Sequence, residues 1–270
     1  ARMLPWQGWV RVRIIDVYPC SRVFTNTAPY RLAMGGVVFE GNSNTVVGSA
    51  ICPDLGDAPD SSNHWGMPMT AYPGVPALFP TVFDSPFGQP RGPKHWNARV
   101  FHLGKSVSFE READLAADTD GVNNLRPPLN QPNLDRFDDG LLRRPAFVNC
   151  QTTQLVLLIH KVLPAPANVG FLNVWIDGNH DGDWGDAVQC PNIAGGTTFA
   201  PEHILIDAPV ALGGPGFQVV TVTTTGPVPW DPANTLRPAW LRVTLSEQPS
   251  VNVRPGACGG SGCVHGDGRG

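Results

Sequence analysis

Oxygen-bearing side chains recur at close intervals in residues 177–186, which read DGNHDGDWGD. They are Asp177, Asn179, Asp181, Asp183 and Asp186. A hard cation such as Ca²⁺ takes about six to eight oxygen ligands, and alternate residues of a curled loop point inward, with a glycine at the sharp turn. Carboxylates this close together repel one another unless a cation lies between them. The spacing therefore predicts a calcium site, and the alternative is a solvated acidic turn.

The predicted loop differs from an EF-hand at its last ligand. The twelfth residue counted from Asp177 is Val188, where an EF-hand has a bidentate glutamate. The sequence also predicts no helix on either side of the loop. We therefore expect the last ligand to come from another loop or from a backbone carbonyl.

A second group of acidic residues lies earlier in the chain. Its members are Glu110, Glu112, Asp114, Asp118, Asp120, Asp135, Asp138 and Asp139. Their spacing is looser, although Glu110 and Glu112 would share one face of a strand. They predict either a second calcium site or an acidic surface loop.

The segment that must position the first loop has the period of a β-strand. In residues 171–176, Val174 and Ile176 alternate with Asn173 and Trp175. Similar patterns predict further strands within residues 9–17, 30–32, 36–40, 45–50, 99–109, 155–162, 203–207, 217–224 and 240–245. The chain of 270 residues contains 30 glycines and 28 prolines, which interrupt helices. We therefore expect an all-β protein, most simply a jelly-roll-like or immunoglobulin-like β-sandwich.

Residues 53–98 are rich in proline and contain many aromatic residues. Proline lacks the backbone donor that a central strand needs, and the aromatic content is too high for a disordered segment. We expect a long, ordered loop that packs across one face of the domain. Trp65, Tyr72 and Trp96 lie in it and are the candidate residues for stacking on a glycan.

The six cysteines are Cys20, Cys52, Cys150, Cys190, Cys258 and Cys263. No pair has the C-x2-C spacing of a zinc site, so disulfides in an oxidising compartment are predicted, with buried thiols as the alternative. The preferred pairs are Cys258 with Cys263 and Cys20 with Cys52. The longest apolar run is too short to cross a bilayer, and the first residue, Ala1, suggests a processed chain.

Charge and motifs argue against two function classes. The net charge is −4 and no basic cluster is present, which disfavours nucleic acid as a partner. No nucleophile-elbow, zinc-protease, phosphate-loop or dinucleotide-binding motif occurs. A glycoside hydrolase would need one carboxyl group protonated in an apolar pocket. The acidic residues here instead lie in polar, glycine-containing segments, so an enzyme is not expected.

Several short motifs occur in a fixed order over roughly residues 54–247. They are GDAPDS at 56–61, GPKH at 92–95, LG at 103–104 with the acidic residues that follow, DTDGV at 118–122, DDG at 138–140, the loop at 175–186 and LRVTLSE at 241–247. Together they resemble the GEVED family of bacterial secreted and surface modules. The Gly-Glu-x-Glu-Asp-Tyr segment that names the family does not occur in this sequence. The resemblance implies a calcium-binding β-sandwich without catalytic activity.

These observations predict three regions. Residues 1–52 would provide N-terminal strands, residues 53–250 a GEVED-like calcium-binding sandwich, and residues 251–270 a tail rich in glycine and cysteine. The expected function is a structural or adhesive module outside the bacterial cell, in a surface protein, stalk or filament. Its expected partners are further copies or neighbouring surface domains, and its cofactor is Ca²⁺. The alternative is a carbohydrate-binding module.

Overall fold

The computed structural model describes part of the chain. The described residues are 23–26, 29–34, 37–42, 46–49, 53–54, 56, 58–63, 66–81, 95–96, 101–107, 140–162, 168–191, 195–230, 238–247 and 249. The chain forms two compact units, Ala1–Ile51 and Cys52–Gly270. The strand predicted within residues 9–17 and the tail at 251–270 lie outside the described residues.

The described residues of the first unit form four strands, which are β1 (Val23–Asn26), β2 (Pro29–Met34), β3 (Val37–Asn42) and β4 (Val46–Ser49). β1 pairs with β4 and β2 pairs with β3, both antiparallel. Arg31 lies opposite Glu40 on β2 and β3, and its Nε is 3.0 Å from Glu40 Oε1. Both side chains are exposed, so this ion pair contributes little to stability.

The second unit contains twelve strands among its described residues. They are β5 (Pro53–Asp54), β6 (Thr70–Tyr72), β7 (Val75–Pro76), β8 (His95–Trp96), β9 (Phe101–Leu103), β10 (Gln154–Lys161), β11 (Val169–Ile176), β12 (Ala187–Pro191), β13 (Thr197–Pro201), β14 (His203–Ala211), β15 (Gly216–Thr223) and β16 (Leu241–Ser246). The strand pairings among these residues are all antiparallel, and the described residues contain no helix. The prediction of an all-β fold is confirmed.

Two three-stranded sheets build the centre of this unit. Their strand orders are β15-β10-β9 and β14-β11-β16. Alternate residues of β10 and β11 are buried in one shared hydrophobic cluster, and these are Leu155, Leu157, Ile159, Leu172, Val174 and Ile176. Each such side chain contributes about 1.5–3 kcal/mol when it is fully buried. The two sheets therefore face one another across a common core, as in a β-sandwich.

β11 is also buried on its second face. Trp175 belongs to another hydrophobic cluster together with Phe79, Trp184 and Trp240. The Phe79 and Trp184 ring centroids are 4.5 Å apart. Phe79 belongs to the segment rich in proline and aromatic residues, and Met69, Ala71 and Ala77 of that segment lie in the same cluster, so this part of the segment packs on the outer face of the sheet.

One disulfide is present among the described residues. It joins Cys150, which precedes β10, to Cys190 in β12, 40 positions further along the chain. The other four cysteines, including the preferred pairs Cys20–Cys52 and Cys258–Cys263, lie outside the described residues. Within the part of the chain that the structure describes, no helix is long and apolar enough to span a bilayer.

Candidate metal centre

The acidic loop begins where β11 ends and continues to the start of β12. Asp181, Asp183 and Asp186 each place a carboxylate oxygen within 4.8 Å of the others. Asp181 and Asp186 are exposed, and Asp183 is half-buried. Three oxygen ligands that converge at the solvent boundary could hold a metal ion.

Asn179 links two of these carboxylates. Its Nδ2 donates to Asp181 Oδ2 and to Asp186 Oδ2, both at 2.9 Å. Its Oδ1 accepts a hydrogen bond from the Asp181 backbone N–H at 3.1 Å. The amide thus directs one oxygen of each carboxylate toward a common donor and reduces their mutual repulsion.

Asp177 has a different environment from the other predicted ligands. It is fully buried, its Oδ1 accepts from the His180 backbone N–H at 2.7 Å, and its Oδ2 accepts from the Gly182 backbone N–H at 3.0 Å. The Tyr72 hydroxyl is a third partner. Burial raises the pKa of Asp177 despite these bonds. In this structure Asp177 shapes the turn from inside, while the three converging carboxylates lie on the outside.

Glu202 is a buried residue of the site that the sequence analysis did not single out. It lies between β13 and β14, and its Oε1 accepts from Gly178 N–H at 3.0 Å, whereas its Oε2 accepts from Asp186 N–H at 3.4 Å. Its backbone also bonds Ile176 and Asp186, each at 3.0 Å. Glu202 therefore connects both ends of the loop. A single acid directly before the apolar strand β14 was the only sign of it in the sequence.

The carboxyl groups of the site are held in an unfavourable electrostatic environment. Burial raises the pKa of Glu202 to about 9, and the negative charges of Asp177 and Asp181 add to this effect. The pKa of Asp181 is raised to about 7 by burial and by its neighbours Asp186 and Asp183. Burial likewise raises the pKa of Asp183. A bound cation would favour the ionised forms and relieve this repulsion.

Gly182 lets the loop approach the segment that covers β11. Its φ of +97° lies in the region that favours glycine, and a Cβ atom there would be 2.1 Å from the Pro76 carbonyl oxygen. The Gly182 carbonyl accepts a hydrogen bond from the Leu78 backbone N–H at 2.8 Å. The loop is therefore docked by its backbone at the turn, which leaves the carboxylates on its outer side.

The remaining predicted sites are only partly described. Tyr72 is half-buried, its ring centroid is 4.6 Å from that of His180, and its hydroxyl accepts from Trp240 N–H at 3.1 Å. Trp65 and the side chain of Trp96 lie outside the described residues. All members of the earlier acidic group also lie outside the described residues; they are Glu110, Glu112, Asp114, Asp118, Asp120, Asp135, Asp138 and Asp139.

Comparison of the chain with protein-family models, with curated proteins and with solved structures finds no match. The resemblance to the GEVED family therefore stays a prediction. The loop at residues 177–186 and Glu202 carry the chemistry from which a function can be inferred.

Proposed function

We propose that this chain is a non-catalytic, calcium-stabilised structural or adhesive module of a bacterial surface protein, stalk or filament, of the GEVED kind. The observation that carries the proposal is the convergence of Asp181, Asp183 and Asp186 within 4.8 Å on a loop that continues a core strand. A cation at this position would stabilise the native fold directly, because the ligands do not converge in the unfolded chain.

The ligand chemistry favours Ca²⁺. Every side chain of the cluster offers oxygen, which suits hard cations, whereas zinc and copper sites usually include imidazole or thiolate. His180 is the histidine of the loop, but its Nε2 lies 3.1 Å from the Pro238 carbonyl oxygen and its ring packs against Tyr72. It is therefore held by the protein rather than directed at the carboxylates.

The position of the loop supports a structural role. The loop joins β11 to β12, contacts the segment at residues 66–81 through Gly182, and is held by Glu202 from the β13–β14 junction. A cation would therefore stabilise several parts of the unit at once. The Cys150–Cys190 disulfide fixes β12 soon after the loop. Disulfides and weak calcium sites both suit an extracellular location, where calcium is abundant.

The carbohydrate-binding alternative has less support from the described residues. Tyr72 makes hydrogen bonds with Asp177 and Trp240 and packs against His180, so it is engaged inside the unit. The alternative then depends on Trp65 and Trp96. A glycan array would test it independently of calcium.

The proposal is tested by thermal unfolding in calcium and in chelator. With Ca²⁺ at a hundred times its dissociation constant, we expect the melting temperature to rise by about 5–10 °C. The double variant Asp181→Asn/Asp183→Asn should lose this rise. Glu247→Gln is the matched control, because Glu247 follows the opposite end of β16, about 20 Å from the loop. Equal melting temperatures in calcium and chelator for the unmodified protein would refute the proposal.

A further inference from the structure

β15 is an outer strand with an unusual composition. It covers eight residues, GFQVVTVT, with no charged residue and no proline. It pairs with β10 without a register shift, and β10 is its only strand partner among the described residues. Phe217 and Val219 are 59% and 62% exposed, and Thr221 and Thr223 on the same face are also exposed. Within the described part of the chain, the second edge of β15 therefore has no strand partner, and it lies beside an apolar face.

The other three outer strands of the two sheets carry features that oppose pairing. β9 has three residues. β14 contains Pro209 and pairs irregularly with β11. β16 carries the buried Arg242, a charged residue whose side chain points into the cluster around Trp184. Shortness, proline, irregular register and inward charge are the usual means by which proteins protect sheet edges from further strands. β15 has none of them, so it is the edge that can accept another strand.

We propose that β15 is an interaction edge at which a second copy of this chain pairs through its own β15, in antiparallel orientation. Pairing centred on Val220 would place Phe217 opposite Thr223 of the second copy and Val219 opposite Thr221 of the second copy. These are aromatic–β-branched and β-branched pairs, which are favourable on one face of a sheet. The β15-β10-β9 sheets of the two copies would then form one continuous sheet of six strands.

The features of β15 favour a second copy over an unrelated partner. An uncharged strand brings no like-charge repulsion when it pairs with itself, and the proposed register matches large with small side chains on the exposed face. Phe217 is already held by stacking on His160, with ring centroids 4.0 Å apart, so little side-chain entropy would be lost. Edge pairing of this length buries less than the roughly 1,200 Å² of a standard interface. We therefore expect a reversible association that needs high local concentration, such as that on a surface or in a filament.

The first test is sedimentation of the full chain from about 10 μM to about 1 mM, where mass action shifts a weak dimer. The chain should pass from monomer to dimer. Val219→Lys should raise the dissociation constant of the dimer by about tenfold or more, because it places a charge in the paired face. Phe199→Lys is the matched control, since Phe199 is a 63% exposed aromatic residue on β13. The control should dimerise like the unmodified chain.

A second variant tests the register. In the proposed pairing, residue 219 faces residue 221 of the second copy, so Val219→Lys/Thr221→Glu should restore dimerisation that either single substitution weakens. Three results would overturn the proposal: a monomer throughout the concentration range, equal weakening by Phe199→Lys, or no restoration in the double variant. Circular dichroism melting of each monomeric variant checks that its fold is retained.

The association does not depend on the calcium proposal. Sedimentation in calcium and in chelator tests the association separately from the calcium proposal, because the residues of β15 are not part of the acidic loop. If calcium leaves the melting temperature unchanged while β15 still pairs, only the calcium proposal fails. Amide hydrogen exchange gives a further readout, since pairing should slow exchange in β15 as the protein concentration rises.

Discussion

Glu202 accepts a hydrogen bond from the backbone N–H of Gly178 at 3.0 Å, although the two residues are 24 positions apart. The bond connects the β13–β14 junction to the first turn of the acidic loop. It places a buried carboxylate behind the three exposed or half-buried ones. The geometry and the charge of Glu202 can be tested separately.

Replacing Glu202 by glutamine should weaken calcium binding by about tenfold, because glutamine cannot ionise when the cation binds, while an acceptor of the same length remains. Glu202→Asp keeps the charge but shortens the side chain, which should break the bond to Gly178. Isothermal titration calorimetry of both variants separates the two contributions. If Glu202→Gln bound calcium as well as the unmodified chain, the charge of Glu202 would play no part in binding.

The pH dependence of the calcium-free protein follows from the same residue. The pKa of Glu202 is about 9 in the folded protein, against an ordinary value of 4.5. The folded state thus binds this proton more tightly than the unfolded chain does. The stabilisation is fully present below pH 4.5 and is lost as the pH rises toward 9. Asp181, with a pKa of about 7, acts in the same direction.

We therefore expect the free energy of unfolding, measured by urea denaturation in chelator, to fall as the pH rises from neutral to about 9. Excess calcium should reduce this fall, because it stabilises the ionised carboxylates. Glu202→Gln should flatten the curve in chelator. Parallel curves for the unmodified chain and Glu202→Gln would assign the pH dependence to other groups.

Gly182→Ala should be strongly destabilising. The new Cβ would lie 2.1 Å from the Pro76 carbonyl oxygen, so the loop would have to move away from the segment that covers β11. Gly195→Ala is a control with a similar φ, +84°, and open space around its Cβ position. We expect about 1–2 kcal/mol for the control, which is backbone strain alone, and a larger loss for Gly182→Ala. Urea denaturation compares the two, and equal losses would show that the close approach has no energetic role.

Removal of the disulfide should also lower stability. The bond between Cys150 and Cys190 closes a loop of 40 positions, for which loss of chain entropy in the unfolded state predicts about 2–4 kcal/mol. Cys150→Ala/Cys190→Ala should show this loss by urea denaturation under oxidising conditions. Equal stability of the double variant and the unmodified chain would contradict it.

The sequence predicted the fold class and the strand before the loop because both depend on local patterns. The alternation of Val174 and Ile176 with Trp175 requires only neighbouring residues, and the strand extends to Val169–Ile176 in the structure. Shorter strands such as β6, β7, β12 and β13 were not predicted, because they contain few alternating apolar positions and are fixed by pairing.

The roles of Asp177 and Glu202 could not be derived from loop spacing. Asp177 continues the face of β11 that carries Trp175, so the strand directs it inward toward Tyr72. Glu202 is brought to the loop by the pairing of β14 with β11, which is a long-range feature. The spacing identified a group of acids but did not distinguish those that shape the turn from those that converge outside it.

The burial of β11 on both faces restricts the length of this strand. A one-residue insertion within Val169–Ile176 would exchange the side chains that face the two clusters and would turn Asp177 away from Tyr72 in the same step. The turn at Gly195 and Gly196 has open space around both residues and carries no such restriction. Related chains are therefore expected to differ in length at that turn and to keep the spacing between β11 and the acidic loop constant.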